Sequence, residues 1–331
     1  MLRGLPRRLA GLFATLLAAS FVIFAAAYAA PGDPAVLLSG SRQELTPEKL
    51  AAVRAQYHLD EPLVVQYGRW LWDSAQGDLG RSFQYRDHVA DLIGARLPTT
   101  LELVAYATVF FVILGVGSGV LAALRRGWVD SAVVGGTTLA ASVPSFVAAI
   151  ALVSLFGVRL GWFPVTGQGE GFTGRLHHLT LPAFALALGA LAVISRVTRQ
   201  AMAEAYASDH VEAARASGMP ERQIVIRHVL RNALGPIVTM CGLVMAGMLA
   251  GTVVVETAFG LSGIGSLLVS AISTHDFPVT QAVLLLMVIG YVVVTTLVDL
   301  IHPLIDPRVS RDTKRRGKRS TTKTAKQVKT A

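Results

Sequence analysis

Six stretches of this chain carry no Asp, Glu, Lys or Arg: residues 9–32, 103–124, 131–158, 176–195, 232–255 and 277–298. A helix needs about 20 consecutive apolar residues to cross the hydrocarbon core of a bilayer. The pattern therefore predicts six transmembrane helices, near 9–30, 99–124, 132–157, 180–199, 233–256 and 279–301. Arg3, Arg7 and Arg8 precede the first run, and Ala27-Tyr28-Ala29 resembles a signal-peptidase site. That run is longer than the apolar stretch of about 7–15 residues in a cleavable signal, so a retained helix is expected.

The basic residues set the orientation. With the N-terminus inside, 21 of the 30 Lys and Arg fall on inside segments and nine on outside ones. Basic residues favour the cytoplasmic side, so both termini are predicted to be cytoplasmic in the plasma or inner membrane.

Two connecting segments are longer than a simple link requires. Residues 31–98 lie outside. Thr46-Pro47-Glu48 reads as a helix start, with Thr as N-cap and Pro in the first turn. Leu50, Val53 and Tyr57 follow at helical spacing. A second helix is predicted from Pro62 through Trp72, with Leu63, Tyr67, Trp70 and Leu71 on its apolar side, then a turn at Gly77-Asp78-Leu79-Gly80. Val89, Leu92 and Ile93 suggest a third, short helix. This segment is either a cap packed on the membrane helices or a dock for an external partner.

The inside segment, 200–231, reads as helix, break, helix. Val211 and Ala214, with Ala201 and Met202, give one narrow apolar side. Gly218 breaks the pattern, Pro220 restarts it, and Ile224, Val225, His228 and Val229 give a second. Such a pair can fit a partner's groove, pack on its own bundle, or lie on lipid. Its alternating charges (Glu204, Asp209, Glu212, Arg215, Glu221, Arg222) do not make a polybasic lipid-binding face.

Composition agrees with a membrane protein. Only 15% of residues are charged, 53% are hydrophobic and the mean hydropathy is +0.53; soluble domains carry about a quarter charged residues. A single cysteine, Cys241, excludes a disulfide framework and a multi-cysteine metal site. The net charge of +9 lies mostly in the inside segments and in the tail from Ser310 to Ala331. Nucleic-acid binding is not expected. That tail has almost no apolar residues, cannot bury enough surface to fold, and is expected to be disordered.

No chemistry of a catalyst is visible. There is no phosphate-binding G-x-x-x-x-G-K-[ST] loop, no H-E-x-x-H and no G-x-S-x-G elbow. His177-His178 has no acidic companion at metal-ligand spacing. Gly115-Val116-Gly117-Ser118-Gly119 fits close helix packing better than phosphate binding. No cofactor, metal or catalytic residue is assigned. Glu102, Glu256 and Asp299 sit near predicted helix ends. They are either interfacial carboxylates or cavity-facing groups for a cationic part of a substrate, with Glu256 the best candidate. Pro144 should kink the third helix, and Ser142 and Ser145 beside it are candidates for lining a path or for ordinary packing.

Asp209-His210-Val211-Glu212-Ala213-Ala214-Arg215-Ala216-Ser217-Gly218 resembles the E-A-A-x-x-x-G signature of ATP-binding cassette (ABC) importer permeases. Arg227-His228-Val229-Leu230-Arg231-Asn232-Ala233 and Pro236 follow it. Other motifs match the dipeptide/oligopeptide (peptide/nickel) branch in order: Pro31-Gly32-Asp33-Pro34, Tyr57-His58-Leu59-Asp60 with Gln66-Tyr67, Gly77-Asp78-Leu79-Gly80-Arg81-Ser82, Leu97-Pro98-Thr99-Thr100-Leu101-Glu102-Leu103, Ser142-Val143-Pro144-Ser145-Phe146, Val255-Glu256-Thr257 and Leu304-Ile305-Asp306-Pro307-Arg308. They span roughly residues 1–309 and resemble the subunit with a long external segment after helix one. His210 stands where the family commonly has Tyr, Gly235 precedes Pro236 where Leu is usual, and the basic tail is longer than typical.

The resemblance implies an all-α polytopic membrane protein with six transmembrane helices and the type I ABC importer permease fold. It implies a chain without its own energy source. The partners would be a second homologous permease, two cytoplasmic ATPase subunits or domains, and an extracytoplasmic solute-binding protein. Glu212, Ala213, Ala214 and Gly218 would dock on the ATPase. Ser142, Pro144, Ser145 and Glu256 are candidates for the translocation path. The organisation expected is a cytoplasmic N-terminus with first helix (1–30), an external helical segment (31–98), a core of five transmembrane helices with the coupling loop 200–231 (99–309), and the tail (310–331). Peptides are the expected cargo, with nickel, glutathione or glycosides as alternatives on the same machinery and a secondary carrier as the alternative of another class.

Overall fold

A computed structural model describes residues 5–28, 46–56, 60–125 and 127–305. The tail, Pro31-Gly32-Asp33-Pro34, Tyr57-His58-Leu59 and Asp306-Pro307-Arg308 lie outside the described residues. Among the described residues the regular elements are all helices, and the only strand-like pairing is one bridge between Arg81 and His88.

Eleven helices follow one another among these residues: α1 Leu5–Tyr28, α2 Pro47–Gln56, α3 Leu63–Ala75, α4 Val89–Leu124, α5 Trp128–Ser142, α6 Ser145–Arg159, α7 Gly171–Tyr206, α8 Asp209–Ala216, α9 Glu221–Phe259, α10 Ile264–Ser273 and α11 Phe277–Ile305. α4, α7, α9 and α11 are long and apolar enough to cross a membrane, and α5 with α6 forms a bent fifth span. α1 supplies a shorter apolar stretch, Ala10–Ala26, and lies against α11.

Three elements differ from the sequence expectation. The short helix at Val89 is not separate: it runs through Pro98 into the membrane helix as α4. Proline removes one backbone donor and usually ends or kinks a helix. Here Val89 and Ile93, in the turns before Pro98, are buried against Ile264, Leu267, Val279 and Val283, and tertiary packing holds the helix together. The third span is broken rather than kinked. α5 and α6 meet at 94°, because Val143, placed before Pro144, takes an extended backbone that cannot continue a helix. The second half of the inside helix pair is not independent either: from Glu221 it continues into the fifth span as α9. A further helix, α10, is absent from the predicted set. Its ten residues are too short to span, and it is buried against α4, α9 and α11.

α7 is the centre of the bundle. It packs on α4, α5, α6 and α9, and its 36 residues make it roughly 54 Å long at about 1.5 Å per residue. That exceeds a hydrocarbon core of about 30 Å, so α7 projects beyond it. Ala183, Ala185, Ala187, Ala190 and Ala192 are buried along it and let neighbours approach. α4 approaches most closely. A Cβ on Gly119 would meet the Ser195 carbonyl oxygen at 2.5 Å and Thr198 Cβ at 2.6 Å, and one on Gly115 would meet Ile194 Cβ at 3.0 Å. Gly117, between them, has open space. Ser118 Oγ donates to Ser195 Oγ across the same seam, 2.9 Å away. Small residues four apart are the usual device for close helix contact in a membrane.

Gly119→Val should therefore cost about 1–3 kcal/mol or more through overpacking, whereas Gly117→Val should be tolerated. Thermal unfolding of the two purified variants in detergent checks this; equal melting temperatures would contradict the seam.

Candidate functional site

The C-terminal end of α7 and the N-terminal end of α9 carry a small folded element between them. Ser208 has an extended backbone and its carbonyl accepts the Val211 and Glu212 N–H groups, which starts α8. Val211 and Ala214, three residues apart, form its buried stripe. They pack with Ala201, Met202, Ile224, Val229, Ala233 and Ile237 of α7 and α9. The apolar sides seen in the sequence therefore face the chain's own bundle. α8 ends in a paired cap: Met219 N–H donates to the Ala214 carbonyl and Gly218 N–H to that of Arg215. That cap needs a left-handed residue, and Gly218 supplies it at φ +73°.

Polar contacts tie the element to both long helices. Tyr206 Oη, at the end of α7, donates to Glu221 Oε1 at the start of α9. Arg215 Nη2, on α8, donates to the same oxygen at 3.4 Å, and its guanidinium carbon lies 5.2 Å from the centre of the Tyr206 ring. The Glu221 hydrogen bond raises the Arg215 pKa above its ordinary value. On the other side, Asn232 Nδ2 lies 2.9 Å from His210 Nε2 and donates to the His228 carbonyl. Sequence reasoning missed this brace, because Tyr206, Arg215 and Glu221 follow no helical spacing across the break.

What remains outward is compact. Glu212, Ala213 and Gly218 are exposed, whereas Ala214 is buried at 8% exposure. Within the motif the exposed positions are thus an acid, a methyl-sized side chain and a bare turn, with Arg215, Ala216 and Ser217 exposed beside them. No side chain beyond Cβ obstructs approach at Ala213 or Gly218.

The path candidates are placed differently. Ser142 and Pro144 are exposed at the α5–α6 break and Ser145 is half-buried. Ser142 Oγ donates to the Thr138 carbonyl, 2.9 Å away. Glu256 lies at the far end of α9, wholly buried. Thr100 Oγ1 donates to its Oε1 at 2.6 Å and Ser266 N–H to its Oε2 at 3.0 Å. Ile264 N–H in turn donates to Thr100 Oγ1 at 2.8 Å. The carboxylate therefore sits at the N-terminus of α10, where free N–H groups and the helix dipole favour an anion. Gly263 and Gly265 make room: a Cβ on Gly263 would enter the carboxylate, and one on Gly265 would come within 2.5 Å of Val253 Cα. Through these contacts Glu256 joins α4, α9 and α10. The Gly263-x-Gly265 spacing was the available signal.

Glu102 pairs with Arg175 at 2.7 Å in an exposed position, and Asp299 is exposed on α11. His177 Nε2 lies 3.0 Å from the Trp162 carbonyl oxygen and His178 Nδ1 2.9 Å from that of Gly174.

Comparison with known proteins identifies the family and the fold. Residues 115–311 match the family described as "Binding-protein-dependent transport system inner membrane component", and residues 1–104 match that described as its N-terminal membrane component. A Brucella abortus protein, provisionally described as a peptide transport system permease, is 38% identical over 310 residues, covering 92% of this chain and 98% of the relative. The glutathione transport system permease of Escherichia coli K12 is 36% identical over 310 residues, covering 93% and 99%. Among solved structures, the inward-facing MetNI methionine ABC transporter aligns with a TM-score of 0.55 at 22% identity, covering 65% of this chain and 96% of the other. An amino acid ABC transporter aligns with a TM-score of 0.51 at 17% identity, covering 64% and 93%. These two likenesses show a shared fold.

Glu256→Ala should cost about 2–4 kcal/mol, because it removes the acceptor of buried donors at Thr100 and Ser266. Glu102→Ala, which removes an exposed ion pair, should cost about 1 kcal/mol or less. Melting temperatures of the two variants check the contrast; a Glu256→Ala variant as stable as the parent would favour a path role for this acid.

Proposed function

Because this chain belongs to the family of binding-protein-dependent transport system inner membrane components, it is a permease subunit of an ABC importer, and we propose that it forms half of a translocation path for dipeptides or oligopeptides. It is a multi-pass membrane protein and not an enzyme; ATP hydrolysis belongs to partner subunits. The peptide cargo rests on relatives described as peptide and glutathione transport permeases. Glutathione, itself a peptide, stays inside that chemistry.

The finer assembly is part of the proposal. The chain pairs with a second homologous permease, two cytoplasmic ATPases engage the inside face, and an external binding protein delivers cargo. Both termini are cytoplasmic. The external segment 31–98 precedes a core, 99–309, that carries the coupling loop 200–231, and the tail 310–331 extends into the cytoplasm.

Glu212, Ala213, Ala214 and Gly218 form the coupling element in this reading. The observation that carries it is the exposed Glu212–Ala213–Gly218 surface mounted on the packed inside ends of α7 and α9. Glu212 meets a basic group of the ATPase, Ala213 and Gly218 permit close approach, and buried Ala214 anchors the element to the bundle. When ATP draws the ATPases together, α8 moves with them. The core beneath α8 and the Tyr206–Arg215–Glu221 brace carry that movement into α7 and α9, and the bundle rocks between inward- and outward-facing states. Ser142, Pro144 and Ser145, at the break in the third span, and Glu256, at the far end of α9, are the path candidates, and the hydrogen bonds of buried Glu256 favour a joining role for it.

Glu212→Lys and Gly218→Asp should each abolish ATP-driven uptake at unchanged membrane abundance. Aspartate tolerates a left-handed backbone better than most residues, so loss of uptake there reports a blocked surface rather than a lost turn. Normal uptake in both variants would overturn the coupling assignment.

Mild-detergent purification of the tagged chain from native membranes, followed by mass spectrometry, should recover a second permease, ATPase subunits and a binding protein that carries a peptide. A binding protein loaded with nickel or a glycoside would move the cargo to those alternatives.

A further inference from the structure

The outward face of α3 is covered by nothing else among the described residues, and its level along α1 indicates what covers it. The inner side of α3 is aromatic. The Tyr67 ring centroid lies 5.3 Å from that of Phe21 and 5.7 Å from that of Phe24, and Trp70 lies 5.6 Å from Phe24. Tyr67 Oη is 2.8 Å from Ser20 Oγ and 3.3 Å from the Leu17 carbonyl oxygen. These partners are not at the end of α1. At about 1.5 Å per residue, Phe24 and Phe21 lie roughly 6 and 10 Å below Tyr28. They belong to the uncharged run 9–32, which the sequence predicts to cross the bilayer. A helix stacked on them sits at the boundary between headgroups and acyl chains, not in the water above it.

The other side of α3 suits that position. Val64 is 70% exposed, Val65 48% and Trp72 68%, with Gly68 between them. The charge on this side, Arg69, is paired with Glu61 at 3.1 Å. On α1 itself, Phe13 and Val22 are likewise exposed. A helix facing water would spread its charges over this side. Instead, three of the chain's aromatic residues with polar tips, Tyr67, Trp70 and Trp72, gather in this one short helix. Such rings concentrate at membrane–water boundaries, and amphipathic helices sink about 5–10 Å into that boundary.

We propose that α3 is an interfacial helix, embedded in the leaflet at which α1 ends, with Val64, Val65 and Trp72 against lipid. With both termini cytoplasmic, this is the outer leaflet. The anchor has a mechanical consequence. The segment after α3 reaches Ser82, whose hydroxyl donates to buried Asp276 at 2.5 Å between α10 and α11. The stretch from α3 to Ser82 is thus fixed at both ends, to lipid through α3 and to the core through Ser82, which holds the surface offered to an external protein at a set height.

Spin labels test the proposal in the assembled transporter in lipid nanodiscs. On a Cys241→Ser background, labels are placed by Trp72→Cys, by Phe13→Cys as the lipid reference and by Asp91→Cys as the water reference. Collision with oxygen reports lipid, and collision with a soluble nickel chelate reports water. The label at 72 should show an oxygen-to-nickel ratio several-fold above that at 91 and near that at 13. A ratio like that at 91 overturns the proposal, with α3 standing in water. Protection from both probes also overturns it, with another protein covering the face. Val64→Cys repeats the reading if the label at 72 impairs assembly.

Discussion

The hydrocarbon core offers backbone and side chains no water, so every polar group within it must find a partner in the protein. That constraint accounts for the all-helical architecture and for the way its exceptions are handled. Glu256 is the sharpest case. A wholly buried carboxylate is costly unless its oxygens are met by donors. Thr100 and the N-terminus of α10 meet them, and Gly263 and Gly265 clear the space. The same group of contacts seats α10 against α4 and α9, so one acid organises the end of the bundle opposite α8.

At the inside end the problem is transmission rather than burial. A loop transmits a partner's motion to membrane helices only if it is stiffer than its connections. In the proposed coupling role, α8 meets that need by burying Val211 and Ala214 in a core shared with α7 and α9. The backbone cap at Gly218 and the contacts among Tyr206, Arg215 and Glu221 close the turn. Exposed ion pairs alone contribute little stability; the apolar core supplies most of the rigidity and the polar contacts set the angle.

Much of this was legible along the chain. The uncharged runs are long enough for membrane spans, and their composition leaves no other use for them. The Glu212–Gly218 motif and its small residues stand out locally. The Gly115 and Gly119 spacing forecast a close helix seam, which packs against Ile194, Ser195 and Thr198. The aromatic side of α3 was visible from Tyr67 and Trp70, although not what it packs on.

Periodicity and composition fixed what each segment must avoid, because exclusion of charge from lipid acts residue by residue and is written in the order of the chain. Which groups meet was decided only by the fold. Val89 and Ile93 keep α4 continuous through Pro98, Ala214 turns inward while Ala213 stays out, and Glu256 finds Thr100 from 156 residues away. Those outcomes depend on contacts between distant parts of the chain, and local propensity carries no record of them.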